Sequence, residues 1–434
     1  MRIRLALSAV PPWRQLGLAL ALFAAGSDQA WTQAQEPVAQ PPAQPPVMDQ
    51  AAIDWLNADG SAAFGRWLTA QLAADPEHPE WLDMFADILQ GSRLGPADGW
   101  FKKGVAQSRY TWDTVKNQFD NDGDGRISRA EFPGPDTFFQ RLDRDGDKAI
   151  TALDLSWPEN ALSDSPGASL YYLADGNGDG KVTFQELEAV FTAADRDGLG
   201  YLSQDDLRAL LPNDAPPPPP PAPSTADAPP PAARPSGPTK ATLVRGLFQQ
   251  EIGALKAGPG VGEAAPDFTL NPVSGATGSF SLSAHMGQKP VVLIFGNITC
   301  GPFRSQAGNI EKLYHRYKDQ AEFVMVYVRE AHPTDGWHMR FNDRYGVTLA
   351  QPKTMEERTA AAQQCRQKLD FDMPFLVDTL DDRVGGTYSG MPSRLYVIDR
   401  AGKVAYKSGR GPFGFKPAEM EQTLMWVLAE PASK

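Results

Sequence analysis

Apolar residues recur at two different spacings along this chain, and the spacing changes about halfway. Between Ala51 and Leu94 they return every third or fourth position: Ile53 and Leu56, then Phe64, Trp67, Leu68 and Leu72, then Trp81, Phe85, Ile88 and Leu89. That period predicts three short helices whose aromatic stripe faces a core. A further helix is predicted over Trp112–Phe119, after GPADGWFKKG (95–104), a Gly-rich loop without phosphate-site spacing. Toward the C-terminus the runs turn β-branched and continuous. Val291–Phe295 reads as a strand buried on both faces. A strand starting at Ala265–Phe268 has Phe280–Leu282 as its hairpin partner, and a short amphipathic helix spans Thr242–Leu255. Strands over 291–295, 322–328, 375–377, 394–398 and 403–407 then alternate with helices over 302–318, 354–369 and 417–428. Thr354 with Glu357 forms a capping box, and Pro417 suits a first helical turn.

At 434 residues the chain calls for more than one domain. Residues 1–34 carry Arg2, Arg4 and Arg14 before LGLALALFAA (16–25), the pattern of a signal peptide. Cleavage is expected after Ala30 or Ala34, the alternative being an uncleaved anchor. The remaining divisions are a Pro/Gln-rich linker (35–50), a helical segment (51–110), an acidic segment (111–211), a Pro-rich linker (212–240) and a C-terminal domain (241–434). No later stretch reaches membrane-spanning length, so the mature protein is expected to be exported, periplasmic or secreted, with no stable membrane span. Two cysteines, Cys300 and Cys365, rule out a disulfide-rich scaffold; either they pair or at least one is functional.

The net charge of −12 sits almost wholly in residues 111–211, which hold twenty acidic against nine basic side chains. Those acids stand at fixed offsets. Asp120, Asp122, Asp124, Gly125, Arg126 and Glu131 fill a twelve-residue D-x-D-x-D-G template, and Asp175, Asn177, Asp179, Gly180, Lys181 and Glu186 fill it again. A hard cation needs six to eight oxygens. Positions 1, 3 and 5 offer side chains, position 7 a carbonyl and position 12 a bidentate Glu, while glycine makes the turn. Asp143, Asp145 and Asp147 form a weaker copy, with Lys148 for the glycine and Asp154 for the Glu. A fourth keeps only Asp195 and Asp197, and Asp206 ends it. The segment resembles EF-hand calcium-binding proteins, and implies two complete Ca²⁺ loops with a third that keeps three ligands. Eleven residues between loops one and two, and eight between three and four, mean that neighbouring hands share a helix. The Pro-rich tether gives no stiff path from this module to the C-terminal domain, so the metal is expected to be structural.

Cys300 falls just after the 291–295 strand, with Pro302 where a helix begins. Free amides and a helix dipole at that position favour the thiolate, so a thiol pKa below the usual value is expected. The alternative is a structural, buried cysteine.

FGNITCGPF, VYVREAHPTDGW (326–337), FLVDTLDD (375–382) and MPSRLYVIDRAGKVAYKSGRGPFGF (391–415) together resemble the iodothyronine deiodinase family, over about 258–430. The resemblance implies a thioredoxin-like fold, with Cys300 at the place of the selenocysteine nucleophile. Ile298 stands where many relatives keep a second cysteine, and no His lies near Gln351-Pro352 where animal relatives carry one. The matched loop implies that His332 holds or protonates near the thiolate, oriented by Glu330, with Thr299 hydrogen-bonding the sulfur. Met391-Pro392 is implied to be the cis-proline facing Cys300. Cys365 is either a resolving thiol or inert, and His285, His315 and His338 are left as surface residues without company.

The fold class is thus multidomain: a mainly α EF-hand domain and an α/β thioredoxin-like domain joined by Pro-rich linkers. Two functions fit. One is an exported, calcium-binding thiol oxidoreductase whose Cys300 attacks a peroxide, a disulfide or a halogenated aromatic. It takes a small-molecule or thiol substrate and a separate reductant. The other is a calcium-stabilised binding or envelope protein with a non-catalytic thioredoxin-like domain. The acidic balance excludes nucleic acid as a partner, and no GxGxxG follows a strand.

Overall fold

Asp49 accepts a hydrogen bond from the Ala52 amide and so starts the first helix. A computed structural model describes residues 49–430 apart from 76, 158–165, 197, 204–205, 208–209, 211–237 and 274–277. The expected leader, nearly all of both linkers and Asp197 lie outside the described residues. Helices α1 (Gln50–Asn57), α2 (Asp59–Leu72) and α3 (Trp81–Gln90) follow the predicted period. The stretch read as a Gly-rich loop instead contains helix α4 (Gly99–Lys103), because burying Trp100 completely pulls that turn into the core. A two-residue strand, β1 (Gln107–Ser108), comes next.

Helix α5 (Trp112–Phe119) enters loop one under a Thr111 cap. Strand β2 (Ile127–Ser128) pairs antiparallel with β3 (Ala149–Ile150), with α6 (Asp136–Leu142) between them as the shared helix. Loops one and two therefore form a pair despite the short spacer. Helices α7 (Ala152–Leu155), α8 (Pro166–Ala174) and α9 (Phe184–Ala194) complete this segment. After the tether, α10 (Lys240–Phe248) is shorter than the predicted 242–255 helix.

The C-terminal elements are β4 (Thr269–Pro272), β5 (Phe280–Ser281), α11 (Leu282–His285), β6 (Val291–Gly296), α12 (Gly301–Ser305), α13 (Ala307–Tyr317) and β7 (Glu322–Tyr327). They continue with α14 (Phe341–Arg344), α15 (Met355–Leu369), β8 (Phe375–Val377), α16 (Arg383–Thr387), β9 (Arg394–Ile398), β10 (Val404–Lys407) and α17 (Pro417–Ala429). The predicted 302–318 helix is two helices, broken at Gln306. One sheet runs β1-β10-β9-β6-β7-β8-β4-β5. β6 is parallel to β7 and antiparallel to β9, in the manner expected of a thioredoxin-type centre, and β7 is parallel to β8. All six residues of β6 are buried, so its uninterrupted apolar run has a sheet face to cover on each side.

The sequence does not demand packing between the acidic segment and the C-terminal domain, but the two pack together. Tyr110, Phe119 and Phe132 pack on Trp426 of α17 at ring distances of 6.0, 5.3 and 5.1 Å. Arg141 of α6 grips Glu421 of α17 with two hydrogen bonds of 2.9 and 3.0 Å, and Gln422 donates to the Asp154 carbonyl at 2.7 Å. The N-terminal helices are not separate either. Leu56, Met84, Phe85, Ile88, Leu89 and Trp100 share a core with Leu243, Val244, Leu247 and Ile252. Surfaces that each leave apolar area uncovered are stabilised by covering one another.

Candidate active site and calcium loops

β6 ends at Gly296 because Phe303 packs over it: a Cβ there would lie 2.4 Å from that ring. The chain then turns through Asn297, Ile298 and Thr299 to Cys300, the N-cap of α12. Asn297, wholly buried, organises this turn. Its Oδ1 accepts from the Cys300 amide (3.0 Å) and the Ala331 amide (3.1 Å), and its Nδ2 donates to the Pro392 carbonyl (3.0 Å). The Met391-Pro392 bond is cis, as the resemblance implied, and Met391 is buried in the same core as Cys300.

Cys300 is 1% exposed, and burial pushes its thiol up rather than down. The Phe303 amide, the Arg304 charge and the Ser393 hydroxyl pull the other way and do not prevail. The predicted low thiol pKa counted the helix terminus but not the desolvation. Ser393 Oγ has no other hydrogen bond. Both cysteines are free, and burial also pushes the Cys365 thiol well up.

Glu330 and Thr299, expected to orient the His332 ring and to hydrogen-bond the sulfur, instead bond one another, around a partner the sequence reading missed. Tyr327, the last residue of β7, donates its hydroxyl to Glu330 Oε1. Glu330 Oε2 accepts from the Thr299 amide (3.1 Å) and hydroxyl (2.7 Å). Thr299 has one hydroxyl proton and a second acceptor in reach, Asn297 Oδ1 at 3.0 Å, while its oxygen accepts from the His332 amide at 3.0 Å. Glu330 is fully buried; desolvation raises its pKa against the donors from Tyr327 and Thr299. Gln351, where no His stands, brackets the Glu330 backbone with bonds of 3.0 and 3.2 Å.

His332 differs from its expected role. Its Nδ1 lies 3.1 Å from the Trp337 carbonyl and must carry the proton, since a carbonyl only accepts. Desolvation lowers its pKa to about 4, so the ring is neutral near pH 7. The ring stands edge-on to Trp337 at 4.7 Å, and its hydrogen bond to the turn below Cys300 comes from its backbone. Arg304, 2% exposed, is the cation of the site. It donates to the Ile298 carbonyl and, at 2.8 Å, to Asn342, which donates to the Thr299 carbonyl at 2.9 Å. Tyr327, Asn297, Ser393, Arg304 and Asn342 sit on strand ends and helix faces where their letters read as ordinary packing. The histidines left without company have some: His315 lies 3.0 Å from Glu311 and 3.3 Å from Asp372, His338 is 2.9 Å from Asp343, and His285 stacks on Phe280.

In the acidic segment, oxygens of Asp120, Asp122 and Glu131 lie within 4.8 Å of one another, as do those of Asp143, Asp145 and Asp154. Gly125 and Gly180 take φ of 82° and 80°, and Lys148 takes 68° at the same position, a left-handed backbone that disfavours a side chain. Arg126 reaches Asp147 at 2.7 Å across the paired loops. Asp124 Oδ1 accepts from the Arg126 amide, and Asp179 Oδ1 from the Lys181 amide. In loop three, Asp175 Oδ2 and Asn177 Oδ1 accept loop amides, and Glu186 uses Oε2 for Thr183. Among the described residues, Glu186 Oε1 is buried without a hydrogen-bond partner. An unpaired carboxylate oxygen at position 12 fits the bidentate ligand a calcium ion requires.

Residues 243–426 match the model of the iodothyronine deiodinase family, 181–213 that of an EF-hand domain pair and 117–132 that of an EF hand. The chain is 34% identical over 164 residues to the thyroxine 5-deiodinase of Gallus gallus, covering 38% of this chain and 62% of that one. It is 32% identical over 134 residues to the type I iodothyronine deiodinase of Xenopus laevis, covering 31% and 51%. The match thus spans about half to three-fifths of those relatives. Among solved structures it is similar to the exposed lipoprotein thioredoxin of Streptococcus pneumoniae (20% identity, 37% of this chain, 98% of that chain, TM-score 0.27). It is also similar to a secreted disulfide oxidoreductase of Mycobacterium tuberculosis (16%, 36% and 93%, TM-score 0.27). The C-terminal part resembles the iodothyronine deiodinases, and residues 111–211 resemble EF-hand calcium-binding proteins.

Proposed function

We propose that this protein is an exported, calcium-binding thiol oxidoreductase with Cys300 as its nucleophile. The observation that carries the reading is the buried chain Tyr327–Glu330–Thr299, which ends one residue from Cys300. Nucleophilic reduction needs a proton for the displaced group, and hydroxyl–carboxyl–hydroxyl contacts excluded from water can pass one. The raised Glu330 pKa suits a group that holds a proton nearer neutral pH. With a disulfide, the Cys300 sulfur bonds one sulfur and the other leaves with a proton. With a peroxide, the sulfur takes one oxygen and water leaves. With a halogenated aromatic, as the deiodinase resemblance suggests, the sulfur takes the halogen and the ring carbon takes the proton. Cys300 is left as a mixed disulfide, a sulfenic acid or a sulfenyl halide respectively, and a separate thiol reductant restores the free thiol. Calcium at loops one and three, with ligands Asp120, Asp122, Asp124, Arg126 O and Glu131, and Asp175, Asn177, Asp179, Lys181 O and Glu186, would supply positive charge that holds those loops closed. Asp143, Asp145, Asp147 and Asp154 form a third, weaker set.

The 1% exposure of Cys300 favours a second reading, a calcium-stabilised binding or envelope protein with an inactive thiol. Incubating the full chain with dithiothreitol and, in turn, hydrogen peroxide, a small disulfide and an iodophenol separates the two. Turnover of one substrate, lost in Cys300→Ser, with the matching Cys300 adduct in the mass spectrum, supports the enzyme. No turnover and no adduct with any of the three supports the binding protein.

A further inference from the structure

Loop three lies directly on the helix that carries Cys300. The Gly180 carbonyl accepts from the Gly308 amide at 3.1 Å, in the first turn of α13. That helix has no side-chain cap at Gln306, so a calcium-loop carbonyl satisfies one of its free amides. The two backbones touch. A Cβ on Gly180 would lie 2.0 Å from the Arg304 carbonyl, and one on Gly308 would lie 2.5 Å from the Gly180 carbonyl. Tyr171, just before the loop, donates to the Ser305 carbonyl at 2.8 Å, at the end of α12. The Tyr345 ring lies over Gly178, Lys368 donates to the Asn177 carbonyl (3.0 Å), and Lys181 grips Asp370 (2.9 Å).

These contacts converge on the Ser305–Gly308 junction, one helical turn from Cys300. The Arg304 amide donates to the Cys300 carbonyl at 3.1 Å, and the Arg304 side chain holds the Ile298 and Thr299 carbonyls directly and through Asn342. Loops one and two dock elsewhere, on α17.

We propose that loop three is a regulatory calcium site for Cys300. Occupancy fixes the Lys181–Val182 peptide, whose carbonyl is the position-7 ligand, and with it the adjoining Gly180 carbonyl that caps Gly308, and thereby clamps the α12–α13 junction with the thiol buried. Losing the ion leaves Asp175, Asp179 and Glu186 to repel one another, releases Gly308 and Ser305, and opens the thiol. By linkage, modifying Cys300 weakens calcium binding at loop three by the same factor.

The inference rests on Cys300 being the reactive group, but its test reads alkylation rather than turnover, so the two can fail separately. Iodoacetamide labelling of Cys300 in the full chain is followed by peptide mass spectrometry, in calcium chloride and in EGTA. Labelling about fivefold faster in EGTA is expected, a modest allosteric coupling. Glu186→Gln should label fast in both buffers, while Glu131→Gln, in a loop docked on α17, keeps the calcium dependence. Tyr171→Phe retains every ligand but loses the bond to the Ser305 carbonyl and a 3.4 Å bond to Asp175; at calcium concentrations that calorimetry shows to be saturating, it should lose part of the difference. Equal labelling in calcium and EGTA, or the same response from Glu131→Gln and Glu186→Gln, overturns the proposal.

Discussion

Glu131 and Glu330 are the same side chain under opposite rules. Glu131 lies at the surface, where the Ser128 amide, the Ser128 hydroxyl and the Asn121 amide hold its carboxyl below the usual range. Glu330 is fully buried, and desolvation holds it above that range although Tyr327 and Thr299 also donate to it. Donors alone do not decide the charge; whether water is still present does. Loop one thus holds Glu131 ionised at the surface, while in loop three burial raises the Asp175 pKa. Around Cys300, burial raises the pKa of the Glu330 carboxyl and lowers that of the His332 imidazole, disfavouring charge on both.

The sharpest break of that contrast is Glu330→Ala, which orphans the Tyr327 hydroxyl and the Thr299 amide and hydroxyl together. A loss of about 3 kcal/mol is expected, equal in calcium and in EGTA, read from urea midpoints. A loss that calcium abolishes would mean the two regions share one energetic unit there. His332 gives the next effect, through pH. Its folded pKa of about 4 lies below the ordinary 6.5, so the unfolded chain binds the extra proton between those values. Stability should therefore fall as pH drops through that window, by about 3 kcal/mol. His332→Gln should flatten that part of the profile, and an unchanged profile would place the ring in water. The smallest effect belongs to Glu131→Gln. Its melting temperature in EGTA should fall slightly, because one of the oxygens that accept from Ser128 and Asn121 becomes an amide, and the upward shift on adding calcium should shrink. An unchanged calcium shift would remove Glu131 from the ligand set.

The same contrast explains what the sequence could show. A calcium loop is twelve consecutive residues, and its ligands can be counted along the chain. The strands 375–377 and 394–398 and the helix Trp112–Phe119 are likewise local patterns, and they appear where the periodicity puts them. The Cys300 centre draws on residues 297–304, 327–332, 342, 351 and 392–393; Cys300 announces itself, and Thr299, Glu330, His332 and Pro392 are legible only through the family resemblance. Tyr327 closes an apolar strand, and nothing in EFVMVY marks its hydroxyl as a donor to a buried acid. The break at Gln306 was hidden because loop three caps the second helix from 128 residues away. Charge runs and proline tracts suggested independent modules, since neither carries information about which uncovered faces fit together.

The two-residue strand β1 has a consequence for how the protein can be made and cut. Gln107 and Ser108 pair with Lys407 and Tyr406 at the margin of the main sheet, three hundred residues later in the chain. During synthesis this margin must wait, unzipped, until almost the whole polypeptide has left the ribosome. An excised 241–434 piece would keep the redox strands but expose the β10 backbone and the Leu243–Ile252 face as adhesive ends. Clumping of that fragment, relieved when residues 49–110 are supplied in trans, is the behaviour this seam predicts.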